Sequence, residues 1–331
     1  MEFSLSYCLG GVVIMRKHLL RMLPLIILSI IACALFIFHD LGGSYHYALP
    51  RRAMKVLAMI LTGAAIAYAT VVFQTITHNR ILTPSIMGLD SLYILLQTLF
   101  IFFFGSTHFT VISKQVNFIL SVLAMVLFAF ILYRLLFSSN KHSVYFLLLI
   151  GIILGTFFSS ISTFLQVLID PNEFLSIQDR MFASFNNVNS DIIWWALAII
   201  LIVTIYGWRY MKELDVVSLG RDTAINLGVE YDALVKRMLI ISAILIAVST
   251  ALVGPITFFG LIVANLSYQY FSTYKHSVLI AGATLFSIFA LVGGQWVVER
   301  IFTFSTTLSV IINFIGGIYF IYLLLKESKS T

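Results

Sequence analysis

Long apolar runs separated by short polar or basic segments dominate this chain of 331 residues. A helix needs about 20 apolar residues to cross a hydrocarbon core, at about 1.5 Å per residue. Ten runs meet or approach that length, at roughly 22–39, 53–73, 86–104, 115–137, 143–168, 191–210, 237–254, 256–271, 276–298 and 307–325. None shows the polar–apolar alternation over about 10 residues that a membrane β-strand requires. Lipid leaves helices and closed barrels as the only spanning structures. The pattern therefore predicts an all-α membrane protein with about ten transmembrane helices in a compact bundle. The weakest run is 256–271. It follows Val253-Gly254-Pro255 with almost no loop, and Gly and Pro break a helix there, so it reads as a tight hairpin or a re-entrant piece. The segment 169–190, with Asp170, Glu173, Asp179 and Arg180, reads as a short surface helix.

Composition removes the soluble alternatives. The chain is 60% hydrophobic and 10% charged, against about 25% charged in soluble domains. The net charge of +6 points to basic loops on one membrane face rather than to nucleic acid. With the N-terminus in the cytoplasm, fourteen of the twenty Lys and Arg fall inside, among them Arg16, Lys17, Lys141 and Lys329. Arg51, Arg52, Lys55, Lys114, Arg180 and Arg300 fall outside. Both termini are then cytoplasmic, as an even number of spans requires. The chain divides into an N-terminal segment 1–21, one transmembrane domain 22–325 and a tail 326–331. Met15, followed by Arg16-Lys17, reads as the working start, with 1–14 untranslated or disordered. Cys33 lies in an apolar run, so it and Cys8 do not suggest a disulfide framework.

Three kinds of chemistry are missing. No ionisable group reads as deep in a span, where an ion-coupled carrier keeps its coupling residues. No convergent Ser/His/Asp or metal-ligand set suggests a membrane enzyme. No G-x-x-x-x-G-K-[ST] loop offers an ATP site. The chain reads as a passive conduit whose energy comes from a partner. A ten-span secondary transporter of another solute is the alternative.

The largest inner loop, about 211–236, reads as two helical pieces punctuated by Gly220 and Gly228. It is either a docking element for a partner or a surface helix joining two spans. Amphipathic linker helices are common, so the residues alone favour the second.

A resemblance changes that weighting. Leu219-Gly220-Arg221-Asp222-Thr223-Ala224-Ile225-Asn226-Leu227-Gly228 resembles the L-G-x-x-x-A-x-x-L-G motif of the FecCD-type permeases, which import vitamin B12 and iron–siderophores. Val253-Gly254-Pro255-Ile256-Thr257-Phe258-Phe259-Gly260-Leu261-Ile262-Val263 is similar to the family's G-P-I-x-F-x-G-L-I-V signature. Leu49-Pro50-Arg51 resembles its L-P-R opening of the second span. Asn79 to Gly88 occupies the place of its N-P-L-A-x-P-x-x-L-G loop. The likeness covers about 49–325 and departs in three places. Ala264-Asn265 stands where Pro-His is usual, Tyr268 stands where a basic residue is usual, and N-R-I-L-T-P replaces N-P-L-A. The changes in the loop and at 264–265 resemble the branch handling catecholate siderophores such as petrobactin.

The resemblance implies a type II ABC importer permease in a bacterial cytoplasmic membrane. Leu219, Gly220, Arg221, Asp222, Ala224, Asn226, Leu227 and Gly228 would form the coupling helix on an ABC ATPase subunit. That subunit, not this chain, would hold ATP and magnesium. Arg51, Arg52 and Arg300 would meet carboxylates of an extracytoplasmic siderophore-binding protein, or else lipid headgroups. A second permease would complete the path, as a different subunit or as another copy. Gly63, Ala67, Gly88, Gly254, Pro255 and Gly260 would line the path or break its helices, with ordinary close packing as the alternative.

Overall fold

The computed structural model describes residues 2–39, 45–109, 114–138, 144–186, 188–302 and 306–328. These form thirteen helices: α1 Glu2–Phe38, α2 Tyr45–Thr77, α3 Leu89–Phe109, α4 Lys114–Ser138, α5 Val144–Leu168, α6 Pro171–Met181, α7 Ser190–Trp208, α8 Met211–Val217, α9 Arg221–Asn226, α10 Tyr231–Val253, α11 Phe259–Phe271, α12 His276–Arg300 and α13 Leu308–Ser328. One 3₁₀ turn, Pro84–Met87, precedes α3. Each of the ten apolar runs is a helix. Eight of those helices are long and apolar enough to cross a membrane. The other two, α3 and α11, each follow a break in the chain. The 13 residues of α11 reach about 20 Å, short of a hydrocarbon core of about 30 Å.

Two corrections concern helix ends. Residues 2–14 continue α1 as helix rather than being disordered; Met1 lies outside the described residues, as do Lys141 and Lys329. The last six positions of the expected loop 211–236 already belong to α10. The surface helix expected within 169–190 is α6. Asp170 caps its first turn, its carboxylate accepting from the Asn172 N–H at 2.9 Å, a favoured helix start.

Helices α2 and α10 form the centre. The best apolar window of each is 83% and 72% buried, against 39% or less for the other six. The outer helices instead present Ile30, Leu123, Ile153, Ile202 and Phe314 outward, as a lipid-facing surface requires. Small residues let neighbours approach α2 closely. A Cβ on Gly63 would lie 2.7 Å from Ser287 Oγ on α12. Ala67 is fully buried.

The two breaks converge inside the bundle. In the first, 78–88, the carbonyl of Arg80 accepts from Gln74 Nε2 at 2.7 Å and from Asn265 Nδ2 at 3.0 Å. The Ile81 N–H donates to Asn79 Oδ1 at 2.8 Å. Gly88 has φ +83°, and a Cβ there would lie 2.9 Å from the Gly155 Cα on α5. In the second, Gly254 has φ +105°, and its N–H donates to the Thr250 carbonyl at 2.8 Å. Pro255 has no N–H to satisfy. A Cβ on Gly254 would lie 2.9 Å from the Ala183 Cα, and Ser184 N–H donates to the Val253 carbonyl at 2.9 Å.

Asp90, in the first turn of α3, fastens the breaks together. Its carboxyl accepts from Thr257 Oγ1 at 3.1 Å and from Thr250 Oγ1 at 3.4 Å, and it also bonds Ser85. Asp90 is 8% exposed. The sequence shows no ionisable group deep in a span, and it does not show that Asp90 is buried between helices. Hydropathy places Asp90 near a span end, but the break at 78–88 has already carried the chain into the bundle.

Gly88 must satisfy both a left-handed φ and a backbone contact, so Gly88→Ala is expected to cost about 1–3 kcal/mol. Gly317→Ala, where nothing lies within 4 Å of an added Cβ, is the control. Thermal unfolding of the detergent-solubilised protein should show a clear loss for the first and little change for the second. Equal melting temperatures would show that the crossing of 88 on 155 is not tight.

Candidate functional site

The α8–α9 end carries the motif singled out in the sequence. Gly220 has φ +107° and Gly228 φ +85°, and an added Cβ at either would meet nothing within 4 Å. These glycines serve backbone direction alone, since other residues rarely adopt such φ. Between them runs α9. Ala224 is fully buried, while Leu219, Ile225 and Leu227 are 61%, 44% and 62% exposed. Asp222 and Asn226 are exposed too. Arg221 is held back over the Tyr231 ring at 5.6 Å and lies 3.8 Å from Asp232. The arrangement presents an apolar, lightly charged surface with a fixed backbone, suited to seating in a partner's groove.

Behind α9, α8 is anchored to the bundle by Met211, Leu214 and Val217, all buried. A polar contact adds to this anchor. One oxygen of Asp215, Oδ1, accepts from the backbone N–H of His276 at 2.7 Å and meets His276 Nδ1 at 2.6 Å. His276 begins α12 and is 2% exposed. Its Nε2 meets Thr75 Oγ1 on α2 at 2.7 Å. Tyr268 of α11 stands beside Thr75. The Arg80 guanidinium lies over the Tyr268 ring at 4.9 Å. Two of the departures noted in the sequence thus turn out to be one contact: Asn265 holds the Arg80 carbonyl and Tyr268 holds its side chain.

The opposite end holds the three singled-out arginines in different roles. Arg52 Nη1 donates to the carbonyls of Phe36, Ile37 and His39, the last at 2.6 Å. Arg300 Nη2 donates to the same His39 carbonyl at 3.3 Å. Both satisfy the C-terminal carbonyls of α1, which a helix leaves without internal partners. Arg51 is exposed, over the Tyr47 ring at 4.8 Å. Nearby, Lys55 pairs with Glu299 at 3.1 Å. Arg180 of α6 reaches inward to Gln97 Oε1 at 2.7 Å and pins α6 to α3.

Of the candidate path residues, Gly63 and Ala67 sit at helix contacts within the bundle, and Gly88, Gly254 and Pro255 sit at the two breaks. Gly260 is packed so closely on Ile66 and Thr70 of α2 that an added Cβ would collide. A different helix carries an exposed polar face. On α5, Thr156, Ser159, Ser160 and Thr163 are exposed among Phe157 and Phe164. Hydroxyls here satisfy themselves partly within the helix, as Thr156 does to the Ile152 carbonyl at 2.9 Å. The signal in the sequence was the hydroxyl run in 156–163, which span counting passes over. Among the described residues no group of three or more His, Cys, Asp or Glu could hold a metal ion.

The sequence pattern of the FecCD transport family matches residues 25–326. YclO, a petrobactin import system permease protein of Bacillus subtilis, is 60% identical over 314 residues, covering 95% of this chain and 99% of that protein. FatC, a petrobactin import system permease protein of Bacillus anthracis, is 37% identical over 277 residues, covering 84% and 78%. A solved metal-chelate type ABC transporter in an inward-facing conformation superposes with a TM-score of 0.80 at 25% identity, over 93% of this chain and 99% of that one. By family pattern, by near full-length relatives and by fold, the chain belongs to the FecCD transport family.

Proposed function

We propose that this chain is the permease subunit of an ATP-driven importer that carries a ferric siderophore of the petrobactin kind across a bacterial cytoplasmic membrane. The near full-length likeness to YclO carries the reading. The α8–α9 surface supports it, because it offers a partner exposed apolar side chains on a rigid backbone. On this reading that end faces the cytoplasm, both termini lie inside, and the opposite end meets a siderophore-binding protein. ATP and magnesium act on a separate ATPase subunit, so this chain conducts and does not catalyse. The α5 hydroxyl face lines a path shared with a second permease, where Ser and Thr can exchange hydrogen bonds with a polar chelate that lipid-facing Leu could not. That second permease is a homologous partner or a further copy.

The test is reconstitution with the ATPase and binding protein, followed by uptake of radiolabelled ferric petrobactin into proteoliposomes. Uptake should need ATP inside the cytoplasmic-facing compartment. Uptake driven by an ion gradient without ATP would overturn the reading in favour of a secondary transporter.

Two substitutions separate the ends. Leu227→Asp puts a charge where an apolar side chain would be buried on the ATPase, so the ATPase should no longer co-purify at ordinary salt. Retained co-purification would remove α9 from the interface. Arg51→Glu reverses the exposed arginine that could pair with a carboxylate by a planar fork. Affinity for the binding protein should fall about tenfold, mostly through slower association, while ATPase binding stays intact. An unchanged association rate would leave headgroup binding as the role of Arg51.

A further inference from the structure

We infer that Asp215, His276, Thr75, Tyr268 and Arg80 form one polar strut that makes α8 move as a body with α12, α2, α11 and the break at 78–88. The inference rests on the importer reading, which makes the α8–α9 end the place where force enters.

The contacts form a continuous series. Asp215 of α8 bonds His276 of α12 through two nitrogens, at 2.7 and 2.6 Å. His276 bonds Thr75 of α2 at 2.7 Å. Tyr268 of α11 stands beside Thr75, and Tyr268 carries the Arg80 side chain at 4.9 Å. Five elements are joined by five side chains. The apolar contacts of Met211, Leu214 and Val217 also hold α8, but apolar contact is non-directional and lets one surface slide on another. The hydrogen bonds among Asp215, His276 and Thr75, at 2.6 and 2.7 Å, fix both distance and angle. The placement is also specific. Asp215 lies four residues before Leu219, where the partner-facing surface begins. Arg80 lies within the break that meets Asp90 and the Gly254-Pro255 break. A push on α9 therefore reaches both breaks without first deforming a long helix. The imidazole side of the central link is shielded from water, since His276 is 2% exposed against 26% for Asp215.

The role is positioning, because none of the five needs to touch the transported chelate. Its signature is the ratio of uptake to ATP hydrolysis. The experiment uses the full complex of this chain, its partner permease, the ATPase and the binding protein in proteoliposomes, with ferric petrobactin as the probe. Asp215→Ala should lower uptake about tenfold, a usual size for coupling between two sites, while ATP hydrolysis persists. Asp215→Asn keeps an oxygen that accepts the same two bonds, and should restore most of the uptake. Thr75→Val removes one hydroxyl at nearly constant volume and should lower the ratio in the same direction; it decides the matter if Asp215→Ala fails to assemble. An unaltered ratio in Asp215→Ala, or in Thr75→Val where that variant has to decide, would overturn the strut. So would a parallel fall of uptake and hydrolysis, which would assign the contact to assembly. Failure of the unsubstituted complex to take up the probe with ATP would instead overturn the importer reading, and the strut's role with it.

Discussion

A helix that stops inside a membrane protein leaves backbone carbonyls and N–H groups that lipid cannot satisfy, and this fold contains two such stops placed against each other. The structure answers with a few polar side chains. Gln74 and Asn265 share the Arg80 carbonyl, Asn79 takes the Ile81 N–H, and Asp90 joins the start of α3 to the end of α10 and to Thr257 beyond the Gly254-Pro255 break. A carboxyl in the first turn of a helix is also favoured by the helix dipole. The shortness of α11 follows from the second of these stops. The central position of α2 and α10 follows from both, since they must wrap the non-helical backbone and keep it from lipid.

Glycine is used in two physically distinct ways. At Gly88 and Gly254 both the backbone conformation and the space are constrained, because neighbouring backbone lies within 2.9 Å of an added Cβ. At Gly220 and Gly228 only the conformation is constrained, with open space around them. The first pair holds the bundle together. The second pair sets the direction of an exposed surface segment. That difference separates packing glycines from presenting glycines more clearly than the motifs do.

The spans were legible because lipid imposes a single periodicity-free rule of length and hydropathy, and α1, α2, α4, α5, α7, α10, α12 and α13 follow it in order. The α8–α9 turns were legible because Gly220 and Gly228 punctuate a polar loop. What escaped were contacts between residues far apart in the chain. Asp90 meets residues 160 and 167 positions away, and Asp215 meets His276 across 61. Neither pairing leaves a local pattern. The substitutions at 80, 265 and 268 were visible one by one, but only the fold shows that they meet. Arg52 and Arg300 read as outward charges, and hydropathy does not show that each also reaches carbonyls at the end of α1.

Asp90 also alters the argument against ion coupling. From the sequence, that argument rested on an absence of groups deep in a span, and it did not weigh Asp90, which is buried between helices. The geometry supplies a better reason. A coupling carboxyl has to exchange partners as it faces each side of the membrane in turn. Asp90 is instead bound by hydroxyls from α10, from the segment before α11 and from the turn before α3, the elements it fastens. Releasing it would leave two helix breaks without a common partner. A group so placed fastens the two breaks to each other, and at the end of the bundle α8 is likewise tied by hydrogen bonds to α12.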